Sequence, residues 1–318
     1  MKTALIIALV LLVIGVIIVG AGWMLLQKNP IDKNVLKDRV YSFGIEELPS
    51  QINISTTNSC IEFRPTTESE WRVECVDKEK IYHKVEVIDG VLTIQEIDDR
   101  LWYEHIGLFA NLRPQSIIVY LPKGTYGLLN IRVVSGDISL PEGFVFSDVT
   151  LKSTSGDISF ASTATGTMNT KVVSGDIAIS GSIGGALEVS GTSSDITVNG
   201  SVGGAIEISG TSGDIEIKNV TPTHLTIQNI SGDIDLTDVV CSEACTIEKN
   251  SGSIELERCD AASFNITTVS GDIRGSILRA KTFDCKTTSG DIRIPADGNG
   301  GMFWAKTTSG DIKITIAQ

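Results

Sequence analysis

Histidine is scarce in this sequence. The three present, His83, His105 and His224, are scattered, and none sits in a metal or catalytic motif. No Gly-x-Ser-x-Gly elbow, Walker loop or dinucleotide fingerprint occurs, so hydrolase, nucleotide and dinucleotide chemistry have no local signature. Basic residues are in deficit, 26 Lys and Arg against 39 Asp and Glu, for a formal net charge of −13. That balance argues against nucleic acid, whose binding rests on phosphate neutralisation, and against anionic headgroups. Aromatics are only 6% of the chain, and helical spacing of apolar residues is absent beyond the N-terminal run. The six cysteines contain no Cys-x-x-Cys pair, which excludes the usual structural zinc cluster. They leave the redox compartment open. Cys60 and Cys75 would face each other if Ile61–Phe63 and Trp71–Glu74 formed a hairpin. Cys241, on a corner, is within reach of Cys259. Cys245, Cys259 and Cys285 fall on apolar repeat positions and read as small buried hydrophobes.

What the chain has is a repeat. Ser-Gly-Asp-Ile returns every 19 or 20 residues over most of its C-terminal part, with aspartates at Asp137, Asp157, Asp176, Asp195, Asp214, Asp233, Asp272, Asp291 and Asp311. Ser194 replaces one glycine and Ser253 one aspartate, while serine and isoleucine stand in all ten copies. A fixed period of this length predicts a stack of equivalent coils, an all-β parallel solenoid. In the coil Asp214–Gly232, Ile215 and Ile217 alternate with Glu216 and Lys218, Thr221-Pro222 marks a corner, and Leu225 and Ile227 alternate again. The period is that of half-buried strands. Stacked at ~4.8 Å per coil, ten coils make a rod of roughly 50 Å. Its interior holds a column of isoleucines, each stabilising by about 1.5–3 kcal/mol.

The Ser-Gly-Asp corner reads as a turn ladder, with glycine supplying the left-handed backbone and the Asp and Ser side chains bonding nearby amides. Carboxylates stacked at rung spacing repel by roughly 0.9 kcal/mol per pair in water, which amide bonds can offset. A cation such as calcium threading the aspartate column is the alternative. The glycine pairs Gly184-Gly185 and Gly203-Gly204 read as tight turns with positive φ. The position after the repeat isoleucine runs Glu216, Asp235, Glu255, then Arg274, Arg293, Lys313. Lys313 is read as a charge that protects a terminal strand edge.

Ala4–Leu26 is apolar and uncharged, long enough to cross a ~30 Å hydrocarbon core as one helix. It is read as an uncleaved anchor; a signal peptide cleaved near Val19 and Ala21 is the rival. Lys28, Lys33, Lys37 and Arg39 follow it, which by the positive-inside rule favours a cytoplasmic solenoid, although that rule weakens before a long domain. The expected organisation is an anchor over 1–27, a linker over 28–45, an irregular β section over 46–130 and regular coils over 131–318. Asn58-Ser-Cys-Ile61 is a degenerate copy of the repeat, placing the first coil near Ile52. Asp89-Gly90 between Val85–Val87 and Val91–Ile94 predicts a hairpin. Leu101–Phe109 reads as a loop or capping segment.

The repeat, the strand Ile117–Pro122, the stretch Asp89–Ile94 and the apolar N-terminus together resemble the putative adhesin family. These are bacterial and archaeal β-solenoid proteins, often membrane-anchored and exposed outside the cell, some associated with envelope stress response. The resemblance covers about residues 45–318. It implies a surface role and carries over no catalytic residue, cofactor or named ligand. The expectation is therefore a non-enzymatic, single-pass membrane protein displaying a solenoid for binding or scaffolding a protein or glycan. A bactofilin-like cytoskeletal scaffold is the alternative, and a glycan-active β-helix enzyme a third.

Overall fold

The computed structural model describes residues 36–102 and 115–317. They form a parallel β-solenoid of three faces. In a regular coil the broad face holds a seven-residue strand such as Met168–Ser174. The chain turns at Ser-Gly-Asp into a short strand opened by the repeat isoleucine, here Ile177–Ile179. A second turn leads to a third, shorter face, here Ser182–Ile183. Each strand pairs in parallel and in register with its equivalents, Ile177 opposite Ile158 and Ile196, Ser174 opposite Ser155 and Ser193.

The isoleucine spine follows from that register. Nine of the ten repeat isoleucines are at most 1% exposed, together with the inward residues of the other faces. The tenth, Ile292, is 41% exposed. Its coil is the end of the stack, because the chain does not stack in sequence order there. Met302–Ser309 pairs with Ser263–Thr267 on one side and Thr282–Ser289 on the other. Ile312–Ile316 likewise lies between Ile273–Ile277 and Ile292–Arg293. The last coil is inserted beneath the one that precedes it. Lys313 is therefore an inner residue, not the protector of a terminal edge; Arg293 holds that place.

At the other end, Gln51–Thr66 is the first coil, with Ile61 opposite Ile138 and Asn58 opposite Ser135, as the degenerate repeat predicts. Two antiparallel units close it. Ile81–Ile88 and Val91–Asp98 form the expected hairpin through Asp89 (φ 51°) and Gly90 (φ 74°), the two left-handed residues of a type I′ turn. Val91–Gln95 extends the broad face on Gln51–Ser55. On the isoleucine face Gln115–Pro122 lies on the first coil, followed by Glu70–Asp77 and then Lys37–Gly44. Because Gln115–Pro122 intervenes, Ile61–Phe63 and Trp71–Glu74 are not a hairpin and Cys60 does not face Cys75. All six cysteines are free. Cys245 and Cys259 are buried, whereas Cys285, on the end coil, is only half-buried.

Among the described residues no helix is long and apolar enough to cross a membrane. The run Ala4–Leu26 and most of the Leu101–Phe109 segment lie outside them.

Candidate functional site

The repeat aspartates come together as one column, and their inner oxygens are engaged. Oδ1 of Asp137 accepts the amide of Asp157 at 2.9 Å, Asp157 that of Asp176, Asp176 that of Asp195, and so on to Asp233, which accepts from Ser253 at 2.7 Å. Ser253 interrupts the column, which resumes from Asp272 through Asp311 to Asp291. This is a hydrogen-bonded turn ladder running between coils rather than within each turn. Nine corner glycines have φ between 109° and 150°. A Cβ at Gly156 would stand 2.3 Å from the carbonyl oxygen of Gly136, so glycine is required twice, by conformation and by close approach. Ser194 manages without it because Gly191 leaves room for its inward-turned side chain, 3.0 Å from where a Gly191 Cβ would be. Gly184, Gly185, Gly203 and Gly204 are not in positive φ; they are needed because a Cβ on any of them would strike the coil beneath, at 2.3 Å from Thr165 O for Gly184 and 2.6 Å from Gly185 C for Gly204. Among the described residues no cluster of three or more His, Cys, Asp or Glu is placed to hold a metal.

Where the corner column begins, the closing strands bring together a group that sequence spacing did not suggest. His83 Nδ1 lies 2.6 Å from Asp77 Oδ1 and its Nε2 lies 3.1 Å from Ser59 Oγ and 3.0 Å from Thr56 Oγ1. Asp77 also accepts the His83 backbone amide at 3.1 Å. The carboxylate fixes the Nδ1–H tautomer, so Nε2 accepts from hydroxyl. Glu96 Oε2 accepts from Thr56 Oγ1 at 2.9 Å and from the amides of Thr57 and Asn58 at 3.0 and 3.4 Å. The connectivity is that of a Ser-His-Asp relay beside a pair of oxyanion-type donors. Its accessibility is not: Ser59, His83 and Asp77 are 0% exposed, and the amide pair is filled by Glu96. The group satisfies the polar atoms of a corner on which no earlier coil is stacked. Four different strands supply it, so no local motif announced it.

A second buried polar group lies where the last coil is inserted. Lys281, 0% exposed, donates to Asp260 Oδ1 at 2.6 Å and to the carbonyls of Ala261 and Gly300 at 2.5 Å. Burial alone would push the Asp260 carboxyl up; hydrogen bonds from Lys281 and Arg279 hold it below its ordinary range. On the isoleucine face Asp235, exposed but partly desolvated by its neighbours, is raised by that desolvation, by Glu255 stacked on it, by Asp233 on its own coil and by Glu216 on its other side. Burial raises the Cys75 thiol to about 12 and the Cys259 thiol to about 11, which leaves both unreactive near neutral pH.

These features define a β-solenoid repeat protein with a buried polar group near each end of the stack. More particularly, the chain belongs to the Toastrack DUF4097 family, whose model matches residues 50–237 and 204–318. No curated protein matches it. Solved structures similar to it include a putative adhesin from Bacteroides fragilis, 14% identical, covering 89% of this chain and 99% of that one, TM-score 0.38. A putative lipid binding protein from Parabacteroides distasonis is 17% identical, covering 89% and 98%, TM-score 0.45. A putative cell adhesion protein from Clostridium sporogenes is 9% identical, covering 89% and 100%, TM-score 0.21.

Proposed function

We propose that this chain is a non-enzymatic, membrane-anchored surface protein that presents a rigid solenoid outside the membrane and acts through its faces. The observation that carries the binding role is the structure of those faces: strands in register turn single outward residues into unbroken columns along the stack. Among the described residues, the arrangement with catalytic connectivity is sealed from solvent, which supports a role without turnover. Anchoring rests on the uncharged run Ala4–Leu26 and on family resemblance. Protease added to intact cells tests display: degradation of the solenoid is expected, and complete protection reverses the orientation.

A second reading, a cytoskeletal scaffold on the cytoplasmic face, is favoured by one specific observation. The end coil leaves Ile292 and Ile294 41% and 39% exposed, an uncovered apolar edge on which another stack could build. Filaments of the purified protein under the electron microscope, together with protection from protease on cells, would establish it.

A further inference from the structure

On the isoleucine face and the end coil, cations are neutralised along their own strands. Lys218 pairs with Glu216, Arg274 with Asp272, Lys313 with Asp311 and Lys286 with Asp284, each two residues apart. The broad face departs from this near its N-terminal end. Arg132, Lys152 and Lys171 stand in register on consecutive coils, and among the described residues no hydrogen bond or ion pair engages their side chains. The residues two positions away are Asn130 and Val134, Thr150 and Thr154, Asn169 and Val173, so no acid is within strand reach. Three like charges at rung spacing repel, and on a chain of net charge −13 that arrangement is left without an internal partner.

The column continues with neutral hydrogen-bonding residues. Arg132 is in register with Ser55, and Ser55 with Gln95. Beside them a shallow groove is lined by Asn53, Thr93, Gln95, Asn130 and Arg132. In the other direction the column passes from Lys171 to Ser190 and Ser209, and in the row beside it Asn169 donates to Glu188 Oε2 at 2.6 Å, with Glu188 stacked on Glu207. The result is a track of four coils and the closing hairpin strand, roughly 20 Å. Amides and hydroxyls line one end and bare cations the other, with the Glu188 and Glu207 carboxylates in the row beside its cationic end.

We propose that this track binds a linear anionic polysaccharide laid along the stack, with acid groups on Arg132, Lys152 and Lys171 and sugar hydroxyls in the Asn53–Gln95 groove. Charge complementarity selects an anion, and the in-register cations select one whose charges recur along its length. No aromatic residue stands on this stretch to stack a base, which distinguishes the track from a single-strand nucleic-acid channel. The assignment gives a ligand class to the binding role proposed above and rests on that role only for its place outside the cell.

The test is binding of polygalacturonate by the full-length protein in detergent, with dextran and a single-stranded oligonucleotide as comparators. Polygalacturonate is expected to bind in a salt-sensitive manner, dextran not to. Combined Arg132→Ala, Lys152→Ala and Lys171→Ala substitutions are expected to weaken binding by about tenfold or more, with an unchanged melting temperature. Lys306→Ala, another unpaired cation on the same column but away from the track, leaves binding intact. Absence of binding by the unaltered protein overturns the assignment, as does equal binding by the triple variant or equally tight oligonucleotide binding lost in the same variant. If the solenoid proves protease-protected on cells while binding persists, display falls and the ligand track stands. If it is accessible and polygalacturonate does not bind, only the track falls.

Discussion

Asp311 donates its backbone amide to Oδ1 of Asp272 at 2.7 Å across 39 residues of sequence. The aspartate between them in sequence, Asp291, instead takes the outer place and donates to Asp311 at 2.9 Å. The final coil is thus a wedge driven into the stack, and the coil before it is a lid.

Truncation exposes this difference. A chain ended after Pro295 loses an inner rung, including the buried Phe303, Ala305, Ile312 and Ile314, and strips Thr282–Ser289 of its partner. The expected loss is on the order of 5 kcal/mol or more from apolar burial alone, read as a large fall in urea midpoint. A truncated chain that unfolds at the original midpoint would rule out the inserted arrangement.

Lys281 ties Asp260 to the carbonyls of Ala261 and Gly300, so Lys281→Met leaves Asp260 with Arg279 as its one cationic partner and is expected to destabilise by about 3 kcal/mol. Adding Asp260→Leu removes the half-satisfied buried carboxylate and recovers part of that loss. Chemical denaturation of both variants measures it; a single variant as stable as the parent contradicts the buried pairing.

Two glycines separate conformation from composition. Gly156→Ala forces positive φ on a Cβ and drives it into Gly136 O, a loss of about 1–3 kcal/mol or more. Gly124→Ala meets nothing within 4 Å and has no positive φ, and is expected to be neutral or to stabilise by up to about 1 kcal/mol. Equal melting temperatures for the two variants would refute the ladder geometry.

The carboxylates predict opposite pH responses. The Asp291 amide and the Lys313 ammonium hold Asp311 below its ordinary 3.8, so its contribution is present above that value and is lost as pH falls through the folded-state pKa. Asp235 is raised, so its ionisation opposes folding at neutral pH, and the opposition is relieved as pH falls through its folded-state pKa. Asp235→Asn is expected to raise Tm slightly near neutral pH, by about 1 °C at an exposed site, with no difference near pH 3. Asp311→Asn lowers Tm near neutral pH, and the gap closes in acid. Thermal melts across that range decide it, and parallel responses would be the wrong outcome.

The regular coils were legible because nine of the ten copies set a glycine where φ is positive, and every copy sets an isoleucine just after the aspartate position. Ile138 and its successors apart from the exposed Ile292 could be placed on the inner side from spacing alone, and so could Asn58-Ser-Cys-Ile61 and the Asp89-Gly90 turn. The Ser59–His83–Asp77 group and the Arg132–Lys152–Lys171 row were not legible in the same way. The first draws on strands of different direction. The second matters only because neighbouring side chains fail to neutralise it.

Periodicity determined the coil, its corner and its buried spine, since a repeated pattern of inward residues has one economical packing. Stacking order at the two ends was decided in three dimensions. Strands of this repeat offer nearly identical pairing surfaces, so which coil lies on which depends on closing contacts such as Lys281 with Asp260 and Glu96 with Thr57. Those contacts join residues that no period relates.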